Sequence, residues 1–414
     1  MKKVIKFGIF GLGRGSTFYN AVLTNNGEIV AVCDRDEEKL AEAAEKLGGD
    51  VGLYRDFDSF LQHPGLEAIF LCNNFHQHAE FAIKALDVGI HVLSECTSNA
   101  TMADGVALVR AAEKSGAVYM LAENYPFMKF NLEMKRIFDG GTLGKFLFGE
   151  GEYNHPLGPD NREYIRSVRP YERHWRNYLP RSYYITHSLG PLMHITGAMP
   201  KRICAMPVFS PEHEDMLMGL DVGDKAAIIT CLNDDGSVYR VTGCAAFGAH
   251  GSSYRICGDK GQVENLLDGT ERVLLRYNEW EVPEGAERIN AYVPDWNDKE
   301  SHLITASGHG GSDFFVIRNF FTSIREGVRP FFDVYRATTM ASVAILAHRS
   351  LLEGGVPYDI PDFHNESDRA RYENDTQSPF YTDGEEPTLP CCSHPEYRPS
   401  EESREQYRKI LMEK

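Results

Sequence analysis

Histidines and tyrosines placed at turns carry the proton chemistry open to this chain near neutral pH. The segment Glu150–Leu157 (EGEYNHPL) sets Tyr153 and His155 where a strand should end. The segment Tyr183–Pro191 (YYITHSLGP) sets His187 just before small residues and a proline. A third, Gly308–Asp313 (GHGGSD), puts His309 among glycines at a helix start, with Asp313 as the expected cap. Imidazole is the side chain best matched to proton transfer at pH 7, and a tyrosine hydroxyl exchanges hydrogen bonds with ligand hydroxyls. Glycines beside His309 permit close backbone approach. Each residue also has a plainer reading: His155 as a turn residue before Pro156, His187 as a buried histidine satisfied by backbone, His309 as a capping or packing residue. His187 and His194 lie seven apart and can share a helix face, which raises zinc. With no H-E-x-x-H pattern and no carboxylate ligand in sight, no metal is expected.

A second constellation lies upstream. Lys3–Phe10 (KVIKFGIF) reads as an apolar strand followed at once by glycines at 11, 13 and 15. In that setting backbone N–H groups approach a pyrophosphate at the positive end of a helix. The fingerprint G-x-G-x-x-G is met at Gly11 and Gly13, with Arg14 and Gly15 inside it. Ser16, small enough for close helix–strand packing, stands in the third glycine's place. A second strand, Glu28–Cys33, ends in Asp34, about 20 residues beyond the turn, where a carboxylate accepts from adenosine ribose hydroxyls. Asp34 would repel a 2′-phosphate, so NAD is the expected cofactor, with Arg35 beside it softening the preference. The plainer reading makes Asp34 a helix N-cap.

The elements that must position these groups follow from periodicity. Glu37–Leu47, Phe57–Leu61, His78–Val88 and Met102–Ser115 read as helices, and Ala68–Cys72, His91–Ser94 and Val118–Ala122 as strands. Such alternation implies a parallel sheet with right-handed crossovers and ligands beyond the strands' C-terminal ends. The exits carrying Asn73 and His78, Glu95, and Asn124 are therefore expected to border the cofactor. After Glu123 the rhythm changes to an amphipathic helix, Phe127–Phe138, and strands at Lys145–Tyr153, Arg202–Phe209, Lys225–Leu232, Val238–Ala246, Ser253–Cys257 and Gln262–Leu266. Two long helices, Asp313–Glu326 and Val334–Leu352, follow. The expected fold class is an α/β Rossmann domain (1–123) and an α+β substrate and oligomerisation domain with a largely antiparallel open sheet (124–355). An extended tail (356–414) would wrap the surface and end in a short helix near Glu402–Met412. The surplus sheet face is expected to join copies into a homodimer or homotetramer. The loop-like interval Arg162–Arg181, dense in Arg, Tyr and Trp, reads equally as a substrate-side wall or a subunit contact.

Composition narrows the partners. The chain has 414 residues and a net charge of -17, a surface that repels nucleic acid and anionic membrane. Nine scattered cysteines without a C-x-x-C pair suggest free thiols in a reducing compartment. The start MKKVIKFGIFGLG reads as the first strand rather than a signal peptide, and no apolar stretch approaches the ~20 residues needed to span a bilayer, so a cytoplasmic location is expected.

Over roughly residues 3–355 the chain resembles the Gfo/Idh/MocA family of sugar and inositol oxidoreductases. The run Ala68–Thr97 (AIFLCNNFHQHAEFAIKALDVGIHVLSECT) looks like that family's second signature, with His78 on the family histidine and Glu95 on its glutamate. The family's usual lysine and proline are replaced by Cys96 and Thr97, which puts simple net dehydrogenation in doubt. One branch also lacks the lysine: the NAD-dependent glycosidases typified by α-N-acetylgalactosaminidase-like enzymes. EYNHPL matches its strand end at Tyr153 and His155; YITHSLGP resembles its YPTHGLGP at Tyr184, His187, Gly190 and Pro191; GHGGSDF resembles its GHGGMDF at His309, Gly310, Gly311, Asp313 and Phe314. The closing VPYDIPDF is similar as well.

The resemblance implies a carbohydrate or glycoside substrate and a redox route. Hydride leaves sugar C3 for tightly held NAD, the ketone acidifies the C2 proton, the C1 group is eliminated, water adds, and the hydride returns to C3. It implies His187 at the C3 hydroxyl, Tyr153 at the C2 proton, and His155, His309 and Tyr184 shaping the site. The alternatives are a net NAD-dependent sugar or inositol dehydrogenase or 3-keto-sugar reductase, and an NAD-responsive regulatory protein.

Overall fold

A computed structural model of the chain describes residues 3–156, 162–211, 220–296, 298–382 and 386–413. Leu157, the end of the Glu150–Leu157 segment, lies outside them. The chain divides into two compact units. The first comprises Met1–Leu132, Asp295–Thr338 and Phe363–Asn374; the second comprises Glu133–Pro294, Thr339–Asp362 and Asp375–Lys414. This differs from the contiguous division at 123 and 355, and the reason is packing. Helix Ser312–Glu326 returns to the first unit, where Phe320 and Phe321 set their rings 6.3 and 5.3 Å from that of Phe7 in the core.

The first unit is built on six parallel strands among the described residues: β1 (Ile5–Phe10), β2 (Gly27–Cys33), β3 (Gly52–Tyr54), β4 (Ala68–Leu71), β5 (His91–Ser94) and β6 (Tyr119–Leu121). Their order is β3-β2-β1-β4-β5-β6. Every residue of β4 is buried, as a parallel strand covered on both faces requires. Crossover helices are started by side chains: Asp36 accepts from the Glu38 and Lys39 N–H groups, and Thr101 with Asp104 forms a capping box. Strand order reverses between β1 and β4, so the crevice past their C-terminal ends is where such a sheet binds a ligand.

The second unit holds β7 (Phe146–Asn154), β8 (Pro200–Phe209), β9 (Asp224–Asn233), β10 (Val238–Ala245), β11 (Gly251–Gly258), β12 (Gly261–Asn265), β13 (Val273–Tyr277), β14 (Ile289–Tyr292) and β15 (Tyr358–Asp359). Among the described residues they form one sheet in the order β14-β13-β12-β11-β7-β10-β9-β8-β15. The β7–β10 pair is parallel and the other pairs are antiparallel, so the largely antiparallel open sheet is as expected. Along β7, Gly149, Gly151 and Tyr153 are buried while Phe148, Glu150 and Glu152 alternate outward. The buried face is covered by helix Thr186–Thr196.

One expectation about this unit needs correction. The interval Arg162–Arg181 is not merely a loop: Arg162–Val168 is helical, and its cations are spent inside the unit. Arg169 is fully buried with its guanidinium 4.9 Å from the Tyr407 ring centre, and it donates to Asn177 at 2.7 Å. Arg162 pairs with Glu413, and Arg404 reaches back to Asp221 at 2.7 Å. The short terminal helix expected near Glu402–Met412 is present. Helix Glu401–Met412 completes the packing, with Tyr407 and Ile410 fully buried.

Buried histidines tie this unit's stability to pH. Burial pushes His194 down to about 3, with Lys135 adding to the shift, and pushes His348 down to about 4 against a hydrogen bond to the Pro390 carbonyl. A lowered folded-state pKa favours the neutral ring, so this stabilisation is complete above the ordinary value of 6.5 and is lost as pH falls from there toward 4 and 3. The expected result is a loss of about 2 kcal/mol per histidine between pH 7 and pH 5. Urea midpoints at the two pH values check it; equal midpoints would mean that the rings are not held uncharged.

Candidate active site

The glycine turn after β1 is shaped by contacts that leave no room for side chains. Gly11 has φ +91, and a Cβ there would sit 2.4 Å from the Cys72 carbonyl oxygen. A Cβ at Gly15 would sit 2.4 Å from the Ile9 side chain. Gly15, not Ser16, therefore makes the close helix–strand approach, while the Ser16 hydroxyl donates to the Gly13 carbonyl at 3.3 Å. At Gly13 the nearest atom to an added Cβ is the Lys39 amine, 4.0 Å away, so this side of the turn is open. The helical run begins at Leu12 and continues through Thr24.

Asp34 closes the other wall of the turn. Its Oδ2 accepts from the Leu12 N–H at 2.7 Å and its Oδ1 from the Asp36 N–H at 3.0 Å. The cap of the following helix is Asp36, which corrects the plainer reading of Asp34. Arg35 is exposed. Beside Gly11, the Asn73 side-chain oxygen is buried and has no hydrogen-bond partner, an acceptor in want of a donor. Open glycine turn, fixed carboxylate and orphan acceptor together fit a dinucleotide: Gly11–Ser16 would hold its pyrophosphate and Asp34 its ribose hydroxyls.

If Asp34 selects the cofactor, Asp34→Ala should erode discrimination between NAD and NADP in paired binding titrations. An unchanged ratio would locate the selection elsewhere.

Other members of the expected cofactor shell are held by protein partners. His78 is buried, with Nδ1 2.8 Å from the Thr97 carbonyl and Nε2 3.2 Å from the Asn73 carbonyl. Burial lowers its pKa; the neutral ring donates its single N–H to one of these carbonyls, and both nitrogens face backbone at the exits of β4 and β5. Glu95 accepts from Arg14 Nε at 3.1 Å and from the Cys96 N–H at 3.0 Å. At the family's lysine position the Cys96 thiol donates to the buried Glu123 at 3.2 Å, and Glu123 also accepts from the Tyr125 N–H at 3.1 Å. A thiol turned onto a carboxylate replaces a cation.

Arg14 extends the network. It donates to both oxygens of the fully buried Asp313, at 3.2 and 3.0 Å, and stacks over Phe18 at 4.5 Å. Burial would lower the Arg14 pKa, but Glu95 and Asp313 outweigh it and hold the guanidinium charged. Asn124 also donates to Asp313, at 3.0 Å, and His309 Nδ1 lies 2.9 Å from it. Asp313 is thus not a helix cap. The cap is Gly311, which makes no side-chain bond.

In the second unit the structure brings four of the sequence-derived candidates together. The His187 ring lies 5.1 Å from that of Tyr153 and 5.3 Å from that of Tyr184, both nearly edge-on. Tyr153 also neighbours Tyr184 at 5.8 Å and His155 at 5.7 Å. Glycines set this geometry: a Cβ at Gly151 would lie 2.2 Å from the Ser188 carbonyl oxygen, and one at Gly243 would lie 2.2 Å from that of Arg181. The segment carrying Tyr184 and His187 therefore rests directly on the sheet. It is fastened by Tyr254, which donates to the His187 carbonyl, and by Ser188, which donates to that of Thr242.

His250, absent from the sequence-derived candidates, stands 4.7 Å from His155. Its signal was present, a histidine between Gly248 and Gly251 at a strand start, the same setting that singled out His309. The Asp313 network and the Cys96–Glu123 contact had no local signal, because their partners are far apart in the chain. His309 belongs to the first unit and Tyr153, His155, Tyr184 and His187 to the second. Among the described residues, no group of three or more His, Cys, Asp or Glu is placed to hold a metal ion.

Residues 5–123 match the Gfo/Idh/MocA oxidoreductase family, NAD-binding Rossmann fold, and residues 222–369 match the glycosyl hydrolase 109 C-terminal domain. A glycosyl hydrolase family 109 protein of Streptomyces filamentosus is 26% identical over 91% of this chain and 81% of its own. One from Phocaeicola vulgatus is 23% identical over 87% and 94%. Among solved structures, levoglucosan dehydrogenase in complex with NADH and levoglucosan has TM-score 0.74 at 17% identity, covering 87% of this chain and all of the other, a likeness of fold. The first unit's dinucleotide turn and the match over residues 5–123 make the chain an NAD-dependent enzyme with a Rossmann domain like that of the Gfo/Idh/MocA oxidoreductases, and residues 222–369 resemble the glycosyl hydrolase 109 C-terminal domain.

Proposed function

We propose that the chain is an NAD-dependent glycoside hydrolase that cleaves the C1 bond of a sugar through transient oxidation at C3. The observation that carries this is the Tyr153–His187 pair, two proton-handling rings 5.1 Å apart and nearly perpendicular. Adjacent sugar carbons need two such groups, one for the C3 hydroxyl and one for the C2 hydrogen. NAD, when bound, supplies the removal and return of hydride at C3. His187 takes the C3 hydroxyl proton. Tyr153 removes the C2 proton, acidified by the neighbouring ketone, as the C1 group departs. The departing C1 oxygen takes up one proton, water attacks C1 and gives one up, Tyr153 returns its proton to C2, and His187 returns its proton to the C3 oxygen as the hydride comes back. Tyr184 and His155 hold the remaining hydroxyls.

Two further features support the closed redox cycle. Direct displacement at C1 needs two opposed carboxylates. Glu95, Glu123 and Asp313 are instead committed to Arg14, Cys96, Asn124 and backbone donors. Cys96 in place of a lysine also removes the cation that the resemblance ties to ordinary dehydrogenation.

The test is a panel of glycosides assayed in deuterated water. The expected result is aglycon release without net NADH and with deuterium at C2. Accumulating NADH without glycoside cleavage would replace this reading with a sugar dehydrogenase, and tight NAD binding with neither activity would point to a regulatory protein.

A further inference from the structure

His309 and the dinucleotide turn share one buried carboxylate. Asp313 is fully buried in the first turn of helix Ser312–Glu326 and receives Arg14 through two nitrogens, Asn124 and His309. Burial would raise its pKa, but His309 and Arg14 hold it below the usual carboxylate value. An ionised carboxylate has no proton to give, so the 2.9 Å contact is His309 Nδ1–H donating to Oδ2. The remaining ring nitrogen, Nε2, is then the basic one, on a side chain that is 43% exposed.

The backbone is bent to make this contact. His309 has φ +51, followed by Gly310 at +61 and Gly311 at +100, three successive left-handed residues. For a residue with a Cβ this region costs roughly 1–2 kcal/mol, a cost that strong contacts must offset. Gly308 makes the approach possible, since a Cβ there would lie 2.6 Å from Asp313 Oδ2. The glycines flanking His309 thus turn its ring onto the carboxylate. A cap would need none of this.

We propose that Asp313 is a positioning residue: it fixes His309 as the Nδ1–H tautomer and turns Nε2 outward to accept a hydrogen bond from a substrate hydroxyl. The substrate half of this statement rests on the glycosidase reading; the tautomer half does not.

The test uses the full-length, NAD-loaded enzyme labelled with nitrogen-15 in histidine, with His309→Ala assigning the signal. The wild-type ring should show a protonated Nδ1 and a bare Nε2 at neutral pH, and Asp313→Asn should abolish that preference. Asp313→Asn should also lower kcat on the order of 10–100-fold with KM little changed. In a His309→Ala background it should add less than about twofold. Asp313→Glu should recover part of the loss.

A wild-type ring protonated at Nε2 overturns the proposal without any variant having to fold. Equal losses in the presence and absence of His309 overturn it too, because Asp313 would then act only by balancing Arg14. Loss of the tautomer preference in Asp313→Asn with turnover unchanged would keep the positioning and remove His309 from the sugar reaction.

Discussion

His187→Ala lowers turnover by a factor of about 10²–10⁴ while NAD remains bound. The two halves of this result separate because the residues involved lie in different units. The glycine turn, Asp34 and Asn73 belong to the first, and His187 belongs to the second. His187 is held by main chain: Tyr254 grips its carbonyl, Ser188 grips Thr242, and Gly151 leaves space for the Ser188 carbonyl beneath. Removing the imidazole leaves those contacts intact, so the loss should fall on chemistry rather than folding. With no acceptor for the C3 hydroxyl proton, hydride loss from C3 is blocked, and mixing enzyme with sugar should give no single-turnover rise in NADH absorbance. His187→Gln, which keeps a hydrogen bond but not a base, should behave like the alanine variant. A near wild-type rate in both would remove His187 from this role.

Much of this arrangement is legible in sequence because it is written locally. Glycines beside an apolar strand, an acidic residue at the next strand's end and regular βα alternation are short-range signals, and helices such as Glu37–Leu47 and Met102–Ser115 begin and end at their expected residues. Tyr153, His155 and His187 stand out because strand ends and helix starts are where side chains leave the packed layers, and Tyr184 joins them through the family resemblance. The signal fails where long-range partners decide. Nothing near Asp313 in the chain shows that Arg14, 299 residues away, and Asn124, 189 away, will occupy both its oxygens. Without them, a helix cap is the reasonable expectation. Likewise Arg162 and Arg169 read as part of a substrate-side wall or a subunit contact until the C-terminal residues Glu413 and Tyr407 supply their partners. Ser16 and Gly15 cannot be told apart for a third reason: the fingerprint fixes spacing, whereas the contact with Ile9 depends on which residue of the turn faces β1.

Tyr153→Phe tests the other half of the chemistry and should fail at a different step. Phenylalanine keeps the ring that packs edge-on against His187 and beside Tyr184 and His155, so the cluster and the fold should survive. Only the hydroxyl is lost. Oxidation at C3 does not need it, so this variant should still give a single-turnover NADH signal with sugar, which His187→Ala should not. Exchange of the C2 hydrogen with deuterated solvent should fall by a factor of about 10²–10⁴, and aglycon release should fall with it. The pair of variants thus divides one reaction into two observable halves, assigned to two rings 5.1 Å apart. If Tyr153→Phe exchanges C2 at the wild-type rate, the base is another residue. His155, whose ring stands 5.7 Å from that of Tyr153 and 4.7 Å from that of His250, then becomes the group to replace. The division of labour between oxidation and elimination would stand, but the tyrosine would serve packing alone.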